Sequence, residues 1–127
     1  MREIKIGIIG IGNMGSSHAK SIVKDRVKNA KLTAVCDIDS ARIKWAKNNL
    51  DPEIEYFTNP QIFYQEADIE AVLIATPHYD HPPLAVEGFK NNLHVLIEKP
   101  AGVYTKAVRE MNEAAQKTDK VFGIMYN

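Results

Sequence analysis

The chain has little of most features that would announce a function. It carries one cysteine, Cys36, among 127 residues, so it can form no internal disulfide. That excludes a disulfide-stapled secreted scaffold, and it argues against a cysteine-rich zinc site. Neither charge is in excess, since 16 basic residues balance 16 acidic ones. A polyanion-binding surface needs a basic surplus, so no nucleic acid and no membrane partner is expected. No apolar stretch approaches the roughly 20 residues that a bilayer span requires. Met1-Arg2-Glu3 leads straight into a strand pattern, without the plan of a signal peptide. There is no repeat, no low-complexity tract and no interior linker. A chain of this length reads as one domain that buries its core without staples. A reducing, cytoplasmic setting suits it, with Cys36 as a small buried apolar residue in a strand.

What the chain does have is a glycine turn in an informative place. Ile4-Lys5-Ile6-Gly7-Ile8-Ile9 fits a buried strand. It ends in Gly10-Ile11-Gly12-Asn13-Met14-Gly15, and a helical pattern follows. Gly10 permits a tight turn, Gly12 lets a pyrophosphate approach the backbone, and Gly15 lets the helix pack closely on the strand. The helix N-terminus offers N–H groups and a positive dipole end to phosphates. Such a turn gains meaning from an acidic residue about 20 residues on, at the end of a second strand. Asp37 closes Leu32-Thr33-Ala34-Val35-Cys36-Asp37 and stands there.

Strand and helix patterns alternate to the end of the chain. The first helix spans Asn13 to about Val27, with Ala19, Ile22 and Val23 inward. Asp39 or Ser40 caps a second helix with Ile43, Ala46 and Leu50 as its buried stripe and Trp45 on its flank. Glu55-Tyr56-Phe57 is a short third strand, and Asn59-Pro60 reads as a cap followed by proline at the first helical position. Ala71 to Thr76 is the fourth strand. Pro82 and Pro83 open a helix that carries Leu84, Ala85, Val86 and Phe89, and Asn91 or Asn92 supplies its left-handed cap. His94 to Ile97 is the fifth strand. Thr105 caps a helix to about Lys117, with Ala107, Val108, Met111 and Ala115 inward, and Val121 to Met125 is the sixth strand. Apolar runs without alternation mean strands covered on both faces. The fold class is therefore α/β, a doubly wound parallel sheet of about six strands.

Ligands of such sheets sit outside the carboxyl ends of the strands. Asp37 can there accept from both adenosine ribose hydroxyls, and its charge disfavours a 2′-phosphate. NAD is thus preferred, with NADP left open because Arg42 lies one turn into the next helix. Thr76-Pro77-His78-Tyr79-Asp80-His81 falls where the nicotinamide half would cross the sheet. His78, Asp80 and His81 also admit a metal reading, but no metal site is expected of them. His81 can instead cap the helix that Pro82 opens, and His18 reads as flank packing on the first helix. Glu98-Lys99-Pro100 follows the fifth strand. Lys99 can donate to ribose and substrate hydroxyls, or simply stand solvated at a turn.

With these residues the chain resembles the Gfo/Idh/MocA oxidoreductases, the glucose–fructose oxidoreductase and inositol dehydrogenase family. The matching elements are Gly10-Ile11-Gly12-Asn13-Met14-Gly15, Asp37, Thr76 to His81, and Glu98-Lys99-Pro100, of which the last is the most specific. The resemblance implies a Rossmann fold and cofactor contacts from Gly10, Gly12, Asn13, Met14, Gly15, Asp37, Thr76, Pro77, His78, His81, Glu98 and Lys99. It places Lys99 beside the nicotinamide ribose as the candidate catalytic residue, and it implies a cis bond before Pro100. The family often carries Asn where His78 stands. It implies hydride transfer between a nicotinamide and a sugar, polyol or related hydroxy compound. Alternatives are an NAD-dependent glycoside hydrolase of the same family and a non-catalytic NAD-sensing module. Family members continue into a second α/β domain that carries substrate contacts and the dimer face. Residues 1–127 are thus read as the cofactor domain of a longer, homo-oligomeric enzyme, inactive on its own.

Overall fold

Eleven elements alternate through the computed structural model, which describes residues 3–23, 29–76, 81–98 and 105–125. They are β1 (Ile4–Ile9), α1 (Asn13–Val23), β2 (Ala30–Cys36), α2 (Ser40–Asn49), β3 (Glu55–Phe57) and α3 (Pro60–Glu66). β4 (Ala71–Ile74), α4 (His81–Lys90), β5 (His94–Glu98), α5 (Thr105–Gln116) and β6 (Phe122–Met125) follow. The strands form one parallel sheet in the order β3-β2-β1-β4-β5-β6. This is the doubly wound α/β sheet that the alternation predicts.

Successive strand residues point to opposite faces, so each central strand feeds two cores. Ile9, Cys36, Val72, Ile74, Val95 and Ile97 join Phe63, Ala85, Phe89 and Met111 on one face. Ile8, Leu32, Val35 and Leu73 join Ala19, Ile22, Ile43 and Ala46 on the other. Helices α3, α4 and α5 therefore cover the first face, and α1 and α2 the second. Trp45 packs against the second core with the Lys20 ammonium 5.2 Å from its ring centroid, as half-buried packing requires.

Local chemistry sets the element ends. Asp39 is the cap of α2, and its carboxylate accepts from the Ala41 N–H at 2.9 Å. Asn59 caps α3 by accepting from the N–H groups of Gln61 and Ile62, with Pro60 in the first turn. Asn92 takes the left-handed conformation after α4, at φ 64°.

Three expectations need correction. Val23 does not face inward: it is 38% exposed, beside a hollow lined by Glu3, Lys31 and Asp51. The helix opened by the prolines already includes His81, so His81 is a helical residue and not the cap before it. β6 begins at Phe122, because Val121 is 67% exposed and turns its N–H to His94 Nδ1 at 2.9 Å. The expected continuation of α1 to Val27 and the inward packing of Ala107 and Val108 lie outside what is described.

Candidate functional site

Beyond β1, β2 and β4 the sheet's hydrogen bonding continues for one more residue. The Gly10 N–H donates to the Cys36 carbonyl and the Ala75 N–H to the Ile9 carbonyl, each at 2.8 Å. The Asp37 N–H donates to Phe57 O at 3.1 Å. These bonds hold the glycine turn, Asp37 and Ala75-Thr76 together at the carboxyl edge.

Each glycine of the turn meets a different constraint. Gly10 has φ +98°, and a Cβ there would stand 2.8 Å from the backbone carbon and oxygen of Ala75. A Cβ on Gly15 would collide with the Gly10 carbonyl, so α1 rests directly on the end of β1. Gly12 is different. Among the described residues, a Cβ on it would meet Arg42 alone, with Nη1 at 3.7 Å and Cζ at 4.0 Å. Among the described residues Gly12 therefore opens onto free space, the kind of room a pyrophosphate needs above the start of a helix.

Asp37 is oriented by backbone donors. Oδ2 accepts from the Ile11 N–H and Oδ1 from the Asp39 N–H, both at 2.8 Å. A carboxylate offers about four lone-pair sites, so two bonds leave capacity for two further donors such as ribose hydroxyls. Arg42 Nη1 donates to the Ile11 carbonyl at 3.2 Å, and Arg42 Nε stands 3.9 Å from Asp39 Oδ2. The Ile11 peptide is thus held on its N–H by Asp37 and on its carbonyl by Arg42. The sequence pattern offered Asp37 as a candidate ribose ligand. Its second role, as a brace for the turn, had no separate signal.

These groups surround a cavity of about 650 Å³. Its floor is Ile9, Gly10, Gly12, Ala75 and Thr76. One wall is Asp37, Ile38, Arg42 and Pro60; the other, from α4, is Pro83, Leu84 and Glu87. Ile38 is 81% exposed and contributes to neither core. Sequence reasoning missed Ile38, Pro60, Leu84 and Glu87 as lining residues. An exposed apolar residue next to the strand-end acid is the one signal that could have found Ile38. Thr76 lies on the same cavity as Asp37.

Of the remaining candidates, Asn13 begins α1, His81 begins α4 and Glu98 ends β5, each known by backbone placement. Met14 follows Asn13 in the first turn of α1. Pro77, His78, Tyr79, Asp80, Lys99 and Pro100 lie outside the described residues. Among the described residues there is no cluster of three or more His, Cys, Asp or Glu side chains that could hold a metal. Cys36 is fully buried, and burial, followed by the charge of Asp37, pushes its thiol up to about 12. It behaves as a packed apolar residue and not as a nucleophile. No helix among the described residues is long and apolar enough to cross a membrane.

Parallel sheet, glycine turn and braced acid together define a dinucleotide-binding domain of the Rossmann type. The chain belongs to the Gfo/Idh/MocA oxidoreductase family, whose NAD-binding Rossmann fold matches residues 4–126. An inositol 2-dehydrogenase of Saccharopolyspora erythraea is 35% identical over 114 residues, which is 89% of this chain and 33% of that protein. A glycosyl hydrolase family 109 protein of a Shewanella species is 29% identical across 100% of this chain and 29% of its own length. The crystal structure of scyllo-inositol dehydrogenase from Lactobacillus casei, with bound NAD(H) and scyllo-inositol, superposes with a TM-score of 0.89 at 33% identity. That match covers 97% of this chain and 36% of the other. The chain thus spans about a third of the length of these relatives.

Proposed function

We propose that residues 1–127 form the cofactor domain of a longer, cytoplasmic, homo-oligomeric oxidoreductase. Its reaction moves a hydride between nicotinamide and the carbinol carbon of a sugar or polyol. The observation that carries this reading is the Asp37 carboxylate, fixed by the Ile11 and Asp39 N–H groups beside the open face of Gly12. The cyclic-polyol chemistry named for the inositol dehydrogenase relatives supports the substrate class.

Bound NAD supplies the hydride acceptor; the chain holds and orients. The turn Gly10, Gly12 and Gly15, with Asn13 and Met14, receives the pyrophosphate at the start of α1. Asp37 accepts from the ribose hydroxyls and, as an anion, opposes a 2′-phosphate, so NAD is preferred to NADP. Thr76, Pro77, His78, His81 and Glu98 lie along the cofactor. Lys99 donates to the nicotinamide ribose and to the substrate hydroxyls. Removing the hydroxyl proton also requires a base within hydrogen-bond reach. The reading assigns that base to the part of the protein beyond residues 1–127, so this chain alone turns over no substrate.

Calorimetry of the chain with NAD and with NADP tests the cofactor assignment. Tighter binding of NADP would overturn the role given to Asp37. The match of this whole chain to part of a glycosyl hydrolase family 109 protein favours one second reading, an NAD-dependent glycoside hydrolase. Net NADH formed with inositols or sugars supports the dehydrogenase. Sugar release without net NADH supports the hydrolase.

A further inference from the structure

The cavity is longer than a ribose site needs to be, and its far wall is chemically specific. β1 lies between β2 and β4 in the sheet, so the wall built by α4 stands across β1 from Asp37. Two strand spacings, about 10 Å, separate β2 from β4 in the sheet beneath these walls. That is the reach of a nucleoside from its ribose hydroxyls to the far edge of its base. The space between is lined by flat or branched apolar groups, Ile38, Pro60, Pro83 and Leu84. Ile38, 81% exposed, has no role in the core, and a purine ring laid on it would remove it from water. On the α4 wall the one charged group that lines the cavity, among the described residues, is Glu87. Its Oε1 stands 3.6 Å from Lys90 Nζ in a loose, exposed pair, which leaves lone pairs for a donor in the cavity.

We propose that Glu87 selects the base of the dinucleotide by accepting a hydrogen bond from the exocyclic 6-amino group of adenine. The proposal rests on the assignment of Asp37 to the ribose, which sets where the base begins. A carboxylate has acceptors only. Adenine presents an amino donor at C6. Hypoxanthine presents a carbonyl oxygen there, which faces the carboxylate as a second acceptor. Ribose, pyrophosphate and nicotinamide are the same in both dinucleotides, so a difference in affinity isolates the base edge.

The test titrates the chain with NADH and with reduced nicotinamide hypoxanthine dinucleotide, following nicotinamide fluorescence. The wild-type chain should bind NADH at least tenfold more tightly than the hypoxanthine analogue. Glu87→Gln offers both a donor and an acceptor, and Glu87→Ala offers neither. In both variants the ratio should fall below threefold. The Glu87 side chain is 54% exposed and its ion pair with Lys90 is loose, so both variants should keep the wild-type circular dichroism. A wild-type ratio below threefold, or a ratio unchanged in both variants, would overturn the proposal. Failure of the wild-type chain to bind either dinucleotide would overturn the ribose assignment beneath it.

Discussion

Removing the Asp37 carboxylate should destabilise the chain even with no cofactor present. Its Oδ2 is the hydrogen-bond partner of the Ile11 N–H, and Ile11 is only 2% exposed. In Asp37→Ala that buried donor loses its acceptor, at a cost of about 1–3 kcal/mol. The Asp39 N–H, bound by Oδ1, sits at an exposed position where water can replace the lost acceptor, so it adds little. A loss near 2 kcal/mol follows. With a urea slope of about 1–3 kcal/mol per molar for a small domain, the midpoint should fall by about 1 M. Asp37→Asn keeps one acceptor but turns an amide NH₂ toward the second N–H, so it should fall between alanine and wild type. Arg42→Ala acts on the carbonyl of the same peptide. A double-mutant cycle with Asp37→Ala should therefore show coupling of about 0.5–3 kcal/mol. The assay is equilibrium urea unfolding followed by circular dichroism. An unchanged midpoint in Asp37→Ala, with NAD binding lost, would leave Asp37 a ligand and nothing more, and would refute the brace.

Gly12→Val should abolish dinucleotide binding while thermal unfolding stays near wild type, because among the described residues a Cβ there meets Arg42 alone, at 3.7 Å; normal NAD affinity by calorimetry would count against the turn. Gly15→Ala should do the opposite and destabilise the fold, since its methyl meets the Gly10 carbonyl; the cost lies at the upper end of the ~1–3 kcal/mol of overpacking, and an unchanged melting temperature would contradict it. Cys36 should resist iodoacetamide at pH 8 in the folded chain and react once urea exposes it, and rapid native alkylation would show that the thiol is not packed away. Its thiol, raised from 9.0 to about 12 in the fold, favours the neutral form there, so its contribution to stability is present below pH 9 and is lost as pH rises through 12. Alkaline unfolding of Cys36→Ala should show a correspondingly flatter decline.

The parts of the fold that the sequence made legible are those set by a few neighbouring residues. The Ile-rich run into Gly10, the Asp39 and Asn59 caps, Pro60 and the left-handed Asn92 all act within one turn of chain, and each stands where its chemistry requires. The buried stripe Ile43, Ala46 and Leu50 follows from helical period alone. Val23 satisfied the same period yet stands 38% exposed, because period alone does not set how far the sheet beneath a helix reaches. The far wall of the cavity was illegible for a related reason. Glu87 is an ordinary acidic residue on a helix until the sheet order sets α4 across β1 from Asp37. Asp37 was found by its spacing from the glycines, but its hold on Ile11 depends on how two strands end side by side.

The strand order carries a thermodynamic consequence. β1 is hydrogen-bonded to β2 on one side and to β4, which lies distant in sequence, on the other. The cavity floor takes Gly10 from the end of β1 and Thr76 from beyond β4, so no fragment that lacks either strand can own a site. Any dinucleotide held there therefore recognises the assembled sheet and has nothing to grip in the unfolded chain. Mass action then turns occupancy into stability, about 2.7 kcal/mol when the free ligand stands at a hundred times its Kd. A domain of this size is marginally stable, at roughly 5–15 kcal/mol. The cellular supply of the dinucleotide thus becomes part of what keeps the chain folded, and a cell depleted of it would hold less intact protein as well as less of the coenzyme.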